Sequence, residues 1–313
     1  MFESAQALIN HYDRIILHRH LSPDGDAIGS QVGLKHLLKE NYPQKEVYMV
    51  GDEAGRYAFM DDSVMDEIPD SFYEGALAIV LDLSAHHLVA DKRYTLAEKT
   101  LRIDHHISGQ PFCDVEIADS SFESACGLVT QMAVELGWKF NKVAARSLYT
   151  GMVTDSGRFR YDATNARTFR LASRLMEEGL DLNEIYQNLY QGNFEEMQIR
   201  AQFMLSIQRT AHNVGYIYSD LQKVRSLPLS TFAISRGMVS VMSDLKGIDI
   251  WVNFTETEDH TVLCELRSSK YNINPIAVKY GGGGHAKASG ATLHSREEAM
   301  SMLEDLDRMM LGE

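Results

Sequence analysis

Along the first hundred residues, short apolar runs alternate with segments whose apolar positions recur three or four residues apart. Arg14-Ile15-Ile16-Leu17-His18 reads as a strand, and Ile28, Val32, Leu37 and Leu38 then repeat at near-helical spacing up to Glu40. Further strands are predicted at residues 46–50, at residues 76–83 (ALAIVLDL) and around residues 101–104, with a helix-like, turn-bounded region near residues 56–67. Strands alternating with helices predict an α/β fold, a parallel sheet flanked by helices. From residue 123 to about 178 the pattern turns helical, broken at TDSGRF and at an expected N-cap, Thr164 or Asn165.

Residues 183–210 are polar, glutamine-rich and helix-prone, which suits a helical connector better than a flexible linker. The expected division is residues 1–190, a connector at 191–212 and a second domain at 213–313. That second domain carries strands at 214–218, 248–256 and 261–267, a glycine run at 281–284 and an amphipathic helix from about 296 to 310, so it is smaller and α+β. A length of 313 residues agrees with two domains.

No apolar stretch approaches the roughly 18–20 residues of a membrane span. The start, MFESAQALINHYDR, carries acids where a signal peptide would be basic, so a cytoplasmic protein without a membrane partner is expected. Cys113, Cys126 and Cys264 are far apart and odd in number, which supports neither a disulfide framework nor a cysteine-ligated zinc site. With 30 basic against 44 acidic groups the formal charge is −14, which disfavours a broad grip on a long duplex nucleic acid.

Five segments carry candidate chemistry. In HRHLSPDGDAIGS, His20, Asp24 and Asp26 lie in a Pro/Gly-bearing loop between a strand end and a helix start, the edge where open α/β sheets bind ligands. An imidazole and two carboxylates at this spacing can ligate a divalent ion. The competing reading makes Asp26 an N-cap and leaves His20 and Asp24 exposed. Asp82 ends the run ALAIVL, and Asp104-His105-His106 ends LRI, so acidic and imidazole groups from three strands converge on one edge. In TDSGRF, Asp155 is a further candidate ligand and Arg158 a candidate phosphate contact, against the plainer reading of a helix-terminating turn. In GGGGHAKASG, the amides of Gly281, Gly282, Gly283 and Gly284 can approach an anion, with His285 and Lys287 beside them. The spacing is not that of a P-loop.

Together, His20, Asp24, Asp26, Asp82, Asp104-His105-His106, Asp155 and GGGGH resemble, in order and over nearly the whole chain, the DHH phosphoesterase superfamily with its DHH-associated C-terminal domain. The HRHLSPDGDAIGS, RIDHH, TDSGRF, ELRSS and GGGGH segments look most like its nano-RNase group, the bifunctional oligoribonucleases and 3′,5′-bisphosphate nucleotidases. The resemblance implies a hydrolase that converts short RNA oligonucleotides and linear dinucleotides such as pApA to mononucleotides, and pAp to AMP. It also implies two divalent ions, usually manganese, with a bridging water activated between them. His20 and Asp24 would hold one ion, Asp26, His105 and Asp155 the second, and Asp82 would bridge them. Asp104 would orient His105, and His106 would lie against the substrate phosphate. Arg267, Ser268 and His285, with its glycines, would contact the phosphate and nucleotide, with Arg158 a weaker transfer. Ile107 after the two histidines and Leu83 after Asp82 depart from the pattern without touching the ligand set. A homodimer is compatible with the resemblance and not required by it.

Two other readings compete. A pyrophosphatase or polyphosphatase of the same superfamily would share the metal motifs, but GGGGH and the lack of a lysine-rich C-terminal clamp favour a nucleotide. A single-strand DNA exonuclease with the same core would be longer. A nucleotide sensor without turnover would have lost at least one of the clustered carboxylates, and none is missing.

Overall fold

Five short runs, one of them apolar throughout, build the first sheet of this computed structural model, which describes residues 2–106 and 111–311. They are β1 (Arg14–Arg19), β2 (Glu46–Met49), β3 (Leu77–Leu81), β4 (Lys99–Asp104) and β5 (Val115–Ala118). All pairings are parallel and the spatial order is β2-β1-β3-β4-β5. β3, at the centre, is buried along its whole length, which is why its sequence is continuously apolar rather than alternating.

Helices α1 (Glu3–His11), α2 (Gly25–Asn41), α3 (Ala125–Glu135), α4 (Lys142–Asp155), α5 (Ala166–Met176) and α6 (Leu182–Tyr190) complete this unit, Met1–Gln191. Polar caps start five of them: Asp24, Ser124, Asn141, Asn165 and Asp181 each accept a hydrogen bond from a first-turn N–H. Between Thr164 and Asn165 the cap is Asn165, because Thr168 returns the bond to its backbone in a capping box.

Helix α2 is buried on most sides, Lys35 included, so it shows no clean apolar stripe in sequence. Its glycines let α4 come close. A Cβ at Gly29 would stand 2.5 Å from the Ser147 carbonyl oxygen and 3.0 Å from Cys126 Sγ, and one at Gly151 of α4 would stand 3.0 Å from Asp26 Oδ1. Gly25 and Gly33 extend the same ridge one turn each way, against Thr154 and Leu148.

The region near residues 56–67, expected to be helix-like, holds only a single 3₁₀ turn, Gly55–Tyr57. Tyr57 and Met60 are buried at helical spacing, but Asp62 takes a left-handed φ of 57°, which no right-handed helix continues through. Strand β5 and helix α1 add to the elements expected from the pattern.

The second unit, Gly192–Glu313, contains α7 (Phe194–Leu205), β6 (Gln208–Arg209), β7 (Gly215–Ser219), α8 (Leu221–Arg225), α9 (Thr231–Met238), β8 (Ile250–Glu256), β9 (Val262–Ser268), α10 (Asn274–Lys279), β10 (Gly283–His285), β11 (Ala288–Leu293) and α11 (Arg296–Met309). Its sheet runs β10-β11-β9-β8-β7-β6, with β7 and β8 parallel and the other pairs antiparallel. The segment expected as a connector carries α7, whose Ile199 and Phe203 are buried in a cluster of this second unit. All three cysteines are free. Among the described residues no helix is long and apolar enough to cross a membrane.

The α2–α4 contact leaves no room for a branched side chain. Gly29→Val is expected to cost about 1–3 kcal/mol of stability, read as a lowered urea midpoint with an unchanged m-value; an unchanged midpoint would show that the helices can separate without loss.

Candidate metal centre

In the order β2-β1-β3-β4-β5 the chain direction across the sheet reverses between β1 and β3, and the crevice outside the carboxyl ends of those strands is where such sheets bind ligands. His20 follows β1, Asp24 and Asp26 begin α2, Asp82 follows β3, Asp104 ends β4 before His105 and His106, and Asp155 ends α4. The structure brings all eight to this one edge.

Each is held by an identifiable local feature. Asp24 caps α2, its Oδ1 accepting the N–H groups of Asp26 (3.0 Å) and Ala27 (2.9 Å). Asp26 is therefore not the cap of its own helix. It is fully buried and accepts from a different one: the N–H groups of Ala125 (2.6 Å) and Cys126 (2.9 Å), at the start of α3, donate to Oδ2 and Oδ1. Asp82 takes a left-handed φ of 58°, a conformation costing an L-residue roughly 1–2 kcal/mol. Its N–H donates to the Ile103 carbonyl of β4 at 3.1 Å.

Two donor groups result, each with its ligand atoms within 4.8 Å of one another: His20, Asp24 and Asp82, and Asp26, His105 and Asp155. Asp82 stands between them. Its Oδ2 is 3.6 Å from His20 Nε2 and its Oδ1 3.5 Å from His105 Nε2. His20 Nε2 is also 3.7 Å from Asp24 Oδ1, and His105 Nε2 is 3.2 Å from Asp155 Oδ2 and 3.8 Å from Asp26 Oδ2. Asp82, His105 and His106 form a third overlapping group. A set of carboxylate oxygens and imidazole nitrogens, with no thiolate, suits hard or borderline divalent ions.

The electrostatics show how strongly the carboxylates call for positive charge. Burial, then the charges of Asp82 and Asp155, push Asp26 well above the usual carboxylate range, and burial raises Asp155 to about 7. Burial would lower His20 and His105, but the carboxylates around them prevail, Asp24 and Asp82 raising His20 to about 11, and Asp82, Asp26 and Asp155 raising His105 to about 10. Asp82 is held below its ordinary range, because bonds from His105 and His20 outweigh its burial.

Asp104 acts differently from the expectation. Its Oδ1 accepts from His106 Nδ1 at 2.8 Å, not from His105, whose Nδ1 lies 3.4 Å from the Phe122 carbonyl oxygen. The bond from Asp104 raises the pKa of His106. The other Asp104 oxygen accepts from Arg102 Nη1 at 3.0 Å, and Arg102, itself buried, also donates to the Leu83 carbonyl and to Glu116. Arg102 was not singled out from sequence. A guanidinium between Leu101 and Ile103, two residues before Asp104 and hence on the same face of the strand, was the available signal. Leu83 is buried, and Ile107 lies outside the described residues.

Arg158 has a left-handed φ of 64° and its guanidinium lies 3.8 Å from the Tyr190 ring centroid, a cation–π contact within the first unit. In the second unit, Arg267, Gly282, Gly283, Gly284 and His285 line one cleft of about 690 Å³ with Phe232, Arg236 and Glu265. Arg267 pairs with Glu265 at 3.1 Å, and Arg236 reaches the other oxygen of the same carboxylate at 3.3 Å. Ser268 faces elsewhere: its hydroxyl donates to the Asp249 carbonyl (3.0 Å) and accepts the N–H of Tyr271 (2.7 Å), so it shapes the turn after β9 rather than lining the cleft. The glycine run is not a free loop. Gly283 and Gly284 begin β10, paired with β11, and a Cβ at Gly282 would stand 2.1 Å from the Gly290 carbonyl oxygen.

Comparison with known proteins gives two family matches: the DHH family, N-terminal domain, over residues 14–152, and the DHHA1 domain over residues 217–311. The chain is 33% identical to the bifunctional oligoribonuclease and PAP phosphatase NrnA of Bacillus subtilis over 304 residues, 96% of each chain. It is 32% identical to a probable enzyme of the same name from Streptococcus mutans serotype c, over 99% of both. The crystal structure of an exopolyphosphatase-related protein from Bacteroides fragilis superimposes with a TM-score of 0.88 at 24% identity, covering 99% of this chain and 97% of that one, which establishes the shared fold.

Because a ligating imidazole must be neutral, cation binding has to expel the protons that the carboxylates hold on His20 and His105, raised to about 11 and 10. Adding Mn²⁺ to metal-free protein in weakly buffered solution at about pH 7.5 is expected to release more than one proton per chain, with affinity falling as pH falls. A pH-stat trace without acid release would contradict ligation by these histidines.

Proposed function

Because the chain belongs to the DHH family of phosphoesterases, with DHH and DHHA1 domains in that order, we propose that it hydrolyses short oligoribonucleotides and linear dinucleotides such as pApA to mononucleotides, and pAp to AMP. It is a metal-dependent hydrolase by family, and the relatives named above are oligoribonucleases and PAP phosphatases along nearly their whole lengths. The observation that carries the reading is the pair of donor groups with Asp82 between them, a member of the first and 3.5 Å from His105 of the second.

In this reading His20 and Asp24 hold one divalent ion, Asp26, His105 and Asp155 hold the other, and Asp82 serves both, with manganese the preferred metal. Four carboxylates contribute −4 and two divalent ions +4, so the loaded centre is near neutral and no longer repels a phosphate. The ions supply Lewis-acid activation of the attacking water and charge for the phosphoryl oxygens. The chain's residues do the rest. Asp26, tied to the start of α3, fixes one ligand against thermal motion. His106, its pKa raised by Asp104, which Arg102 anchors in turn, donates to the leaving oxygen. Arg267, the glycine amides and His285 bind the substrate's remaining phosphate and nucleotide, and Arg158 contributes charge from the first unit. We place the protein in the cytoplasm, where short RNA and pAp arise.

The test is hydrolysis by purified protein with Mn²⁺, comparing pAp, pApA, a five-residue oligoribonucleotide and pyrophosphate. Release of AMP and mononucleotides is expected; turnover of pyrophosphate alone would transfer the protein to the pyrophosphatases. Asp82→Ala is expected to lose more than about a hundredfold in turnover, since removing even a partner of a metal ligand costs 10–100-fold. Arg267→Ala should chiefly raise KM, by about tenfold for one lost charge-assisted contact, and an unchanged KM would remove Arg267 from the phosphate site. If His106 is the proton donor, activity falls as pH rises through its pKa. Asp104→Asn withdraws the charge that raises that pKa, so the alkaline limb of the pH–rate profile should move to lower pH; an unmoved limb would exclude His106 from this role.

A further inference from the structure

Strand β9 of the second unit presents two unlike faces. Val262, Cys264 and Leu266 are buried in the core, whereas Leu263, Glu265 and Arg267 are half-buried on the other side. Residues directly opposite across antiparallel strands share a face, so Gly290 of β11 and Gly283 of β10 continue the row that starts at Glu265. Beyond Glu265 that row therefore carries no side chain. A Cβ on Gly283 would meet nothing within 4 Å, and one on Gly290 would lie 3.8 Å from Glu265 Oε1. Helix α9 stands beside this shelf. Asn253 of β8, fully buried, donates to the Ile234 and Ser235 carbonyls at 2.9 and 2.8 Å and ties the helix to the sheet. On the exposed side of α9 are Phe232, 60% exposed, and, one turn on, Arg236, whose guanidinium lies 5.0 Å from the Phe232 ring centroid. Ring, shelf and both arginines line the one cleft of about 690 Å³, within the size range of small-molecule pockets.

We propose that Phe232 is the base-stacking residue of this cleft, a nucleobase lying between its ring and the side-chain-free shelf of Gly283 and Gly290. The inference rests on the nucleotide reading above and deepens it, naming the group by which the cleft tells a nucleotide from a bare phosphate. Two features select the occupant. Glu265 is one carboxylate shared by the guanidiniums of Arg236 and Arg267, so positive charge is in excess and an anion is favoured. A phosphate by itself has no use for an exposed aromatic ring or for a floor free of side chains. A phosphate that carries a flat aromatic group uses both, and stacking accepts every base because each has a π-face. Cation–π contact with Arg236 restrains the ring before any ligand arrives.

The experiment measures, in the presence of Mn²⁺, the dissociation constants of AMP and of ribose 5-phosphate, its base-less counterpart, for the parent protein, Phe232→Ala and Phe232→Trp. Phe232 is mostly exposed and alanine favours a helix, so the truncation leaves the fold in place. Affinity for AMP is expected to fall about tenfold in Phe232→Ala, the loss of one base–aromatic contact, and to recover in Phe232→Trp, while affinity for ribose 5-phosphate is the same in all three proteins. An AMP affinity that does not change, or a fall shared by ribose 5-phosphate, overturns the stacking role. Turnover by the parent protein separates this from the reading beneath it. Hydrolysis of pAp with AMP affinity unaltered in Phe232→Ala refutes the role of Phe232 alone, whereas AMP held through Phe232 with neither pAp nor RNA hydrolysed refutes the nuclease reading and upholds the stacking site.

Discussion

The close approach of α2 and α4 is the constraint on which the first unit depends. Carboxylates repel, and nothing in their own chemistry would gather Asp26 and Asp155 on either side of His105. They are gathered because glycines along α2, with Gly151 opposite, put no side chain of their own into the contact and let the two helices pack closely. The apolar burial of Ile28, Val32, Leu148 and Met152 around that contact supplies favourable energy, and the repulsion is a local cost charged against it. Positioning of the ligands is thus a packing outcome rather than an electrostatic one.

Electrostatics then sets which charges are tolerated. Asp26 has the start of α3 to receive it, Asp82 has histidines on both oxygens, and Asp104 has Arg102. These three arrangements have different consequences. Asp104 is compensated by fixed positive charge and orients the His106 ring. The compensation of Asp82 is by titratable groups, and a metal ion can take over from their protons. The distinction separates a permanent structural charge from a replaceable one, and it divides the cluster into a part that organises and a part that binds.

Much of this was legible in the sequence because strand ends and motif spacing are local. HRHLSPDGDAIGS, Asp82 after ALAIVL and RIDHH each lie at an element boundary that periodicity marks, and the parallel α/β class follows from the alternation of elements. What was less legible depended on contacts between distant segments. The partner of Asp104 is decided by side-chain direction after β4, and the fate of the Ser268 hydroxyl by the turn to Tyr271. The helix-like spacing of Tyr57 and Met60 was real, but it describes two side chains docking into a core from a turn. Helix α2 hid its orientation because it is covered on nearly every side, leaving no polar face to reveal the period. The charge of −14 concealed the two guanidiniums of the cleft beside α9, since a sum over the chain carries no information about place.

Asp26 has one more implication. The same carboxylate begins a helix ninety-nine residues away and belongs to the ligand cluster, so the amide protons of Ala125 and Cys126 lie one bond removed from whatever occupies the site. Their exchange with solvent should slow when the cluster is filled and quicken when it is emptied or acidified. The fold thereby contains its own occupancy gauge, two backbone hydrogens that report the state of the centre without any label being added to it.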